Sequence, residues 1–224
     1  MLNRTSFRHS TRDFVYDTLR ESIIDLELPP GTAISEKEIS EELEVSRTPV
    51  REAFLRLKED ELLTVLPQRG SFVALIDLDH VEEARFLREQ AEAGIIRLAC
   101  ENFSNEHLHK LEMNLVEQKK ARDDEDENAL YTLDKAFHQL FAEGTDKLRI
   151  WRTIQKMDTH SMRLRKLSIA LKLNWKELVE QHEAMVDAIK EKNQKRAEEL
   201  IRSHLALLKY DQKALKEQYP DYFS

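Results

Sequence analysis

Residues 35–63 read SEKEISEELEVSRTPVREAFLRLKEDELL, and this stretch decides the fold of the first third of the chain. Ser35 stands before acidic residues and an apolar pair, which is typical of a helix N-terminus, so we predict a short helix to about Glu44. A tight connection follows. Apolar residues at helical spacing then predict a second helix that runs to about Asp60.

The flanking segments extend this pair of helices. Apolar residues at near-helical spacing predict a preceding helix over residues 11–28, which the Pro-Pro-Gly at 29–31 ends. Two β-rich runs, LLTVL and SFVALI, follow the pair on either side of residues 67–70 and predict a small hairpin. Three helices and a hairpin form the layout of a winged helix-turn-helix, whose third helix lies in a DNA major groove.

The third predicted helix begins with polar and basic residues. We expect Thr48 to be its N-cap and Pro49 its first residue, with Ser46 as the alternative cap. Arg47 and Arg51 are four residues apart, so both can project from one side of the leading end. A helix N-terminus suits phosphate, and arginine can bind guanine O6 and N7 together. Taken alone, this spacing also fits a surface helix whose arginines pair with acids.

The segment from residue 35 through PQRGSFV at 67–73 resembles the DNA-binding domain of the GntR family of bacterial transcription regulators, and the resemblance covers residues 11–75. It implies operator contacts from the second helix, from the start of the third helix and from the wing tip. By matching position these residues are Lys37, Ser46, Arg47, Thr48, Arg51, Arg69 and Gly70. The family commonly has glycine in the turn where this chain has Glu44, which puts a like charge near the phosphates.

The rest of the chain predicts helices alone. They are expected at about 79–101, 104–124, 127–143, 147–170, 174–191 and 194–216. The predicted fold is therefore mainly α, with a winged helix-turn-helix followed by an all-α antiparallel bundle of six or seven helices. We divide the chain into a DNA-binding domain at 1–76 and an effector-binding and dimerisation domain at 77–224.

Four residues of the second region form a candidate metal site. Asp134 and His138 are four apart in LDKAFHQLF, while His182 and His204 lie in apolar contexts on two further helices. Taken singly, each histidine is more often a hydrogen-bonded residue than a ligand. As a set they resemble the FadR-type C-terminal (FCD) domain, whose metal-dependent members have D-x3-H and two later histidines. The resemblance implies a divalent metal, with zinc as first choice and nickel or manganese as alternatives.

Arg88 and His160 are two candidate contacts for an effector. Arg88 matches an arginine of the first helix of that domain, where it could orient a carboxylate effector with Glu92 as its partner. An ordinary ion pair between the two, one helical turn apart, explains the pattern equally well. His160, in MDTHSMRLR, is expected to face solvent rather than a pocket.

Composition and charge narrow the function classes. The chain of 224 residues has a net charge of −8, and residues 1–76 hold 10 Lys and Arg against 14 Asp and Glu. Nonspecific adhesion to nucleic acid is therefore disfavoured, and DNA contact must come from placement. The sequence shows no secretory signal and no apolar run of about 18 residues, so we expect a cytoplasmic protein with no membrane contact. Cys100 is expected to be a buried thiol.

These observations favour a ligand-responsive regulator that is not an enzyme. We expect a repressor that binds palindromic double-stranded operator DNA as a homodimer and responds to a small organic acid. The alternative is a metal-dependent hydrolase in which the Asp and His cluster activates water. Against it, no carboxylate stands at a recognisable spacing for a general base, and a hydrolase has no use for the winged domain. A nonspecific DNA-bending protein is disfavoured by the acidic charge.

Overall fold

The computed structural model of the protein describes residues 10–224, so residues 1–9 of the predicted first domain lie outside it. The chain forms two compact units. The first unit runs to Ile76 and includes Asp221–Ser224, and the second comprises Asp77–Pro220.

The assignment of the last four residues to the second region is wrong. The Ile76 N–H donates to the Tyr222 carbonyl at 2.7 Å, and the Ser224 N–H donates to the Ile76 carbonyl at 3.2 Å. Ile76 also forms a parallel bridge with Phe223. These backbone hydrogen bonds join segments that are far apart in the sequence, so no local sequence pattern predicts them.

The first unit contains three helices and a small sheet. Its elements are α1 (Thr11–Ile24), β1 (Ala33–Ile34), α2 (Glu36–Glu42), α3 (Arg47–Glu59), β2 (Leu63–Leu66) and β3 (Gly70–Val73). The sheet is antiparallel in the order β1-β3-β2, with Ala33 opposite Phe72 and Val65 opposite Ser71. The hairpin of β2 and β3 is the predicted wing, while the short strand β1 was not predicted.

Helix α1 ends four residues earlier than expected. The chain turns at Asp25, whose N–H still donates to the Glu21 carbonyl at 2.8 Å, and Leu26 adopts a left-handed φ of 63°. A left-handed residue just after the last turn is a common helix stop. The Pro-Pro-Gly segment follows this stop and is not what ends the helix.

The core of the first unit lies between α1 and α3. Apolar residues recur at helical spacing on both helices, and the buried face of each packs against the other. The buried residues are Val15, Leu19, Ile23 and Ile24 of α1 and Val50, Ala53, Phe54 and Leu57 of α3. This packing leaves the opposite side of α3 exposed, including its first turn.

The second unit is a bundle of seven helices. They are α4 (Leu78–Glu101), α5 (Asn105–Asp123), α6 (Glu127–Gly144), α7 (Leu148–Met157), α8 (Thr159–Ala170), α9 (Trp175–Lys190) and α10 (Gln194–Gln218). Apolar residues from six of them, α4–α7, α9 and α10, form its main core, in which Cys100 is buried as expected. Within residues 10–224 no helix has both the length and the apolar character needed to cross a membrane.

One helix predicted for this unit is two separate helices in the structure. The segment expected at 147–170 divides at Asp158, which ends α7 and precedes α8. Asp158 is fully buried, accepts a hydrogen bond from Arg165 Nη2 at 2.9 Å and lies 3.6 Å from Arg88 Nη1. A buried carboxylate held by two arginines is a tertiary cause of a helix break, so no glycine or proline was needed.

Candidate functional site

Helix α3 begins at Arg47, with Ser46 as its N-cap. The preferred assignment of Thr48 as cap is therefore wrong and the alternative is right. Pro49 is the third residue of the helix, where it is tolerated because the first N–H groups of a helix have no intrahelical acceptor. The Ser46 side chain makes no capping hydrogen bond, so its hydroxyl is available to a ligand.

The residues that the resemblance matches to DNA contacts are all exposed. They are Lys37 on α2, Ser46, Arg47, Thr48 and Arg51 at the start of α3, and Arg69 and Gly70 at the wing turn. Lys37 lies 3.8 Å from Glu41 in a surface pair. Within residues 10–224, the side chains of Arg47, Arg51 and Arg69 have no hydrogen-bond or ion-pair partner, so their guanidinium groups are available.

Glu44 occupies a left-handed position in the turn between α2 and α3. Its φ is 53°, a region that favours glycine. The turn is closed by the Val45 N–H, which donates to the Ser40 carbonyl at 3.1 Å, and by the Ser40 hydroxyl, which donates to the Val45 carbonyl at 2.6 Å. The backbone thus keeps the conformation that glycine suits, although the residue is glutamate.

The four residues of the candidate metal site converge in the core of the second unit. Asp134 and His138 come from α6, His182 from α9 and His204 from α10, and all four are buried. His204 Nε2 lies 3.1 Å from His138 Nε2 and 3.3 Å from His182 Nε2. Asp134 Oδ1 lies 3.6 to 4.0 Å from the three Nε2 atoms. All four ligand atoms therefore lie within 4.8 Å of one another, close enough to share one ion.

A second layer of side chains orients the three imidazoles. His138 Nδ1 lies 2.6 Å from Glu92 Oε2, His182 Nδ1 lies 2.8 Å from Gln118 Oε1, and His204 Nδ1 lies 3.2 Å from Gln181 Oε1. Each oxygen is an acceptor, which places the proton on Nδ1 and leaves the Nε2 lone pair available to an ion.

The two glutamine amides of this layer are themselves held in place. Gln118 Nε2 donates to Asn114 Oδ1 at 2.6 Å, and Gln181 Nε2 donates to Glu177 Oε1 at 3.1 Å. Because each amide nitrogen already faces an acceptor, each amide oxygen must face its histidine. The tautomers of His182 and His204 follow from this chain of hydrogen bonds.

The protonation states of the cluster suit a cation. Burial above all lowers the pKa of His182 to about 3 and holds that of His204 well below its ordinary value. Burial raises the pKa of Asp134, but His138, Arg165 and His182 outweigh it and the net pKa is lowered. At neutral pH His182 and His204 are therefore neutral and the carboxylate is ionised, which are the forms that ligate metals.

The distances match a divalent ion. Zn–N bonds of about 2.0 to 2.1 Å in a tetrahedron give N···N edges of roughly 3.3 Å, and the two histidine separations are 3.1 and 3.3 Å. Three nitrogens whose lone pairs face one another at this range repel unless a cation lies between them. The second oxygen of the carboxylate, Asp134 Oδ2, is buried and has no hydrogen-bond partner among the residues that the structure describes. The donor set therefore fits a metal.

A cavity adjoins this cluster and is open at one side. Its walls include Asp134 and His204 together with charged residues from α4 and α8 and with apolar residues, and it encloses about 570 Å³ including its mouth. The remaining polar lining residues are Arg85, Arg88, Asp158, Ser161, Arg165, Ser168, Asn174 and Asp211.

Arg88 forms the ion pair with Glu92 that is one of the two interpretations made from the sequence. Its Nε donates to Glu92 Oε1 at 2.7 Å, so the intrahelical pair exists. Its Nη2 is buried and has no hydrogen-bond partner in the described part of the chain, residues 10–224. Burial opposes ionisation of Glu92, but Arg88 and His138 lower the pKa of Glu92 to about 2. One arginine thus anchors the second layer of the cluster and offers a free donor beside it.

Sequence reasoning missed the other charged residues of the cavity. Arg165 Nη1 lies 3.7 Å from Asp134 Oδ2, and its Nη2 donates to Asp158. Asp211 accepts hydrogen bonds at the part of the cavity formed by α10. Arg165 stands beside Arg163 and Lys166, and Asp211 stands in a charged part of a long helix, so both look like ordinary surface residues in the sequence.

The expectation that His160 faces solvent is wrong. His160 is buried at the start of α8, and its Nδ1 accepts a hydrogen bond from the Asp77 N–H at 2.9 Å. It is not among the residues that line the cavity. The tie to the N-cap residue of α4 gives His160 a structural position instead.

Comparisons with known proteins agree with this architecture. Residues 11–73 match the model "Bacterial regulatory proteins, gntR family", and residues 83–207 match the FCD domain model. A relative from Escherichia coli K12, the HTH-type transcriptional repressor RspR, is 31% identical over 94% of this chain and 92% of its own length. An uncharacterized HTH-type regulator in an unstable DNA locus of Streptomyces ambofaciens is 34% identical over 99% of this chain and 92% of its own.

A solved structure supports the fold. Escherichia coli McbR/YncC superposes with a TM-score of 0.77 at 21% identity, over 94% of this chain and 99% of that one. The matched family models and relatives are transcription regulators, which removes the hydrolase alternative. The chain therefore belongs to the GntR family of bacterial transcription regulators, with an FCD-type C-terminal domain.

Proposed function

We propose that this regulator is a repressor whose helical unit senses a small carboxylate metabolite through a divalent metal ion. The observation that carries the proposal is the convergence of Asp134, His138, His182 and His204 beside a cavity with an unpaired guanidinium nitrogen. Zinc is the first choice, because three imidazoles and one carboxylate form a common zinc set, while nickel and manganese remain alternatives.

The chain's own residues define the effector site. Arg88 Nη2 and the guanidinium of Arg165 provide donors that suit a carboxylate, and both are held in place by Asp158. When bound, the metal supplies a Lewis-acid site to which a carboxylate oxygen can bind. The mostly apolar remainder of the wall excludes water and strengthens these charge interactions.

The start of α3 and the wing form the proposed operator-binding surface. Arg47 and Arg51 have free guanidinium groups, and the Ser46 hydroxyl is uncommitted. Arg69 lies at the wing turn. Two copies of this surface on a two-fold dimer would meet successive major grooves of a palindrome, about 34 to 36 Å apart.

A stripe on α4 supports the proposed homodimer. Leu87, Ala91, Gly94 and Leu98 follow at spacings of four, three and four residues, and none of them is buried. Ile150 of α7 is exposed and lines a surface groove together with Ala91, Gly94 and Leu98 of the stripe. Small residues between apolar ones let two helices approach closely, so we assign the contact with a second copy of the chain to this stripe.

Helix α4 is also the proposed route from effector to operator. It begins at Leu78, two residues after the first unit ends at Ile76, and it carries Arg88 and Glu92 of the site. A carboxylate that binds Arg88 therefore contacts this helix directly. Differential binding to two positions of α4 would change the spacing of the two DNA-binding units.

The operator surface is tested with Arg51→Ala in a gel-shift assay on the operator. We expect loss of sequence-specific binding with an unchanged melting temperature, because Arg51 is exposed and unpaired. Lys58→Ala is the matched control, since Lys58 is an exposed cation in the last turn of the same helix. Specific binding retained by Arg51→Ala, or lost equally in both variants, contradicts the assignment.

A further inference from the structure

Asp211 is an acidic residue in the wall of the cavity, on the same helix as His204 of the candidate metal site. It lies on α10 seven residues after His204, which is two helical turns or about 10.5 Å along the same face. The side chain lines the cavity and is 6% exposed. The cavity therefore extends from the metal cluster to a buried carboxylate.

This carboxylate has hydrogen bonds but no counter-ion. The Ser168 hydroxyl donates to Oδ2 at 2.5 Å, and Asn174 Nδ2 donates to Oδ1 at 2.6 Å. No Lys, Arg or His within residues 10–224 pairs with Asp211. Burial raises its pKa, and the nearby Glu177 adds to that effect. Each oxygen keeps a free acceptor site, and a buried negative charge without a cation is costly.

Six of the other side chains that line the cavity are apolar. They are Ile169, Leu173, Leu178, Leu205, Leu207 and Leu208. A ligand with hydroxyls along its whole length would lose hydrogen bonds to water against these side chains. An aliphatic spacer suits this wall better.

We propose that the effector is a carboxylate with a cationic amine at the far end of a short aliphatic chain, and that Asp211 binds the amine. The inference rests on the proposed function, because the metal end must hold the carboxylate. The 10.5 Å is the backbone rise along α10; about 2 Å of it is used by a metal–oxygen bond and about 3 Å by the hydrogen bond to Asp211, which leaves roughly 5–6 Å for the ligand. Four carbons between the two end groups span that length when one of the chain bonds is gauche.

The test compares pentanoate with 5-aminopentanoate by calorimetry on the full-length, metal-loaded protein. We expect the amino acid to bind the wild type at least about ten-fold more tightly, as charge-assisted hydrogen bonds require. Asp211→Asn should bring the two affinities within two-fold. Asp124→Asn, which removes an exposed acid from the same unit, should leave the ten-fold preference intact.

A second variant distinguishes loss of the contact with the amine from a folding defect. Asp211→Glu keeps the charge but lengthens the side chain by one methylene, so it should shift the preference to 4-aminobutanoate. Equal binding of pentanoate and 5-aminopentanoate by the wild type, or a preference that survives in Asp211→Asn, overturns the role of Asp211 and leaves carboxylate sensing intact. Failure of both compounds to bind overturns the proposed carboxylate site as well.

Discussion

Glu92→Gln should weaken metal binding without removing a ligand. Glu92 is 3% exposed, and its two oxygens serve two different donors, Arg88 Nε at 2.7 Å and His138 Nδ1 at 2.6 Å. Glutamine has only one oxygen, so its amide nitrogen must face one of these donors. Either His138 loses the acceptor that orients its ring, or Arg88 loses its main partner.

The expected size follows from the role of the carboxylate. Loss of an outer-shell partner of a metal-binding histidine typically costs about 10- to 100-fold in metal affinity. This corresponds to about 1.4 to 2.7 kcal/mol. We expect Glu92→Gln to fall in this range and to keep one metal per chain when the metal is in excess.

A chromogenic chelator that competes for zinc at pH 7 measures this affinity. Glu83→Gln is the matched control, because Glu83 is exposed on the same helix and has no side-chain partner within residues 10–224. Its affinity should equal that of the wild type. If Glu92→Gln binds zinc within two-fold of the wild type, the reasoning about the second layer is refuted.

Three further changes test other parts of the structure. Glu44→Gly should raise the free energy of unfolding by about 0.5 to 1 kcal/mol, because relief of the left-handed φ exceeds the entropy that glycine adds; a lower melting temperature would count against it. Tyr16→Phe should lower the free energy of unfolding by about 1 to 2 kcal/mol in denaturant titrations. Burial and the hydrogen bond to Asp60 raise the pKa of Tyr16 to about 12. The wild type should therefore lose this contribution as pH rises from about 10 through 12, and an equal alkaline fall in the variant would disprove the cause. Leu98→Glu should give a monomer in light scattering, whereas Val116→Glu, at another exposed apolar position, should remain a dimer. A Leu98→Glu variant that is still dimeric would show that the interface lies elsewhere.

The main features of the fold follow from local patterns in the sequence. The periodic apolar residues of α3 and the wing runs predict the winged helix-turn-helix, because amphipathic helices and short strands leave direct marks in the sequence. The candidate metal residues were named through the resemblance to the FCD domain, because each histidine taken singly is more often an ordinary hydrogen-bonded residue. Asp134 and His138 share one helix face, and the later histidines stand among apolar residues, which is unusual for a polar side chain.

What sequence reasoning missed depends on contacts between distant segments. The break at Asp158 arises from its pairing with Arg165 and Arg88, and no local residue type marks it. The two-residue strand β1 exists because it pairs with β3. Asp211 was missed because an acidic residue on a long charged helix looks like a surface residue until Ser168 and Asn174 are seen around it.

The most direct test of the account is the metal content of the protein purified without added metal. Elemental analysis of the wild type should find one divalent transition metal ion per chain, and His138→Ala should contain less than a tenth of that amount. The metal-free protein should also lose its response to carboxylates in an operator-binding assay. A wild type that holds no stoichiometric metal and still releases or binds the operator in response to a carboxylate would contradict the account.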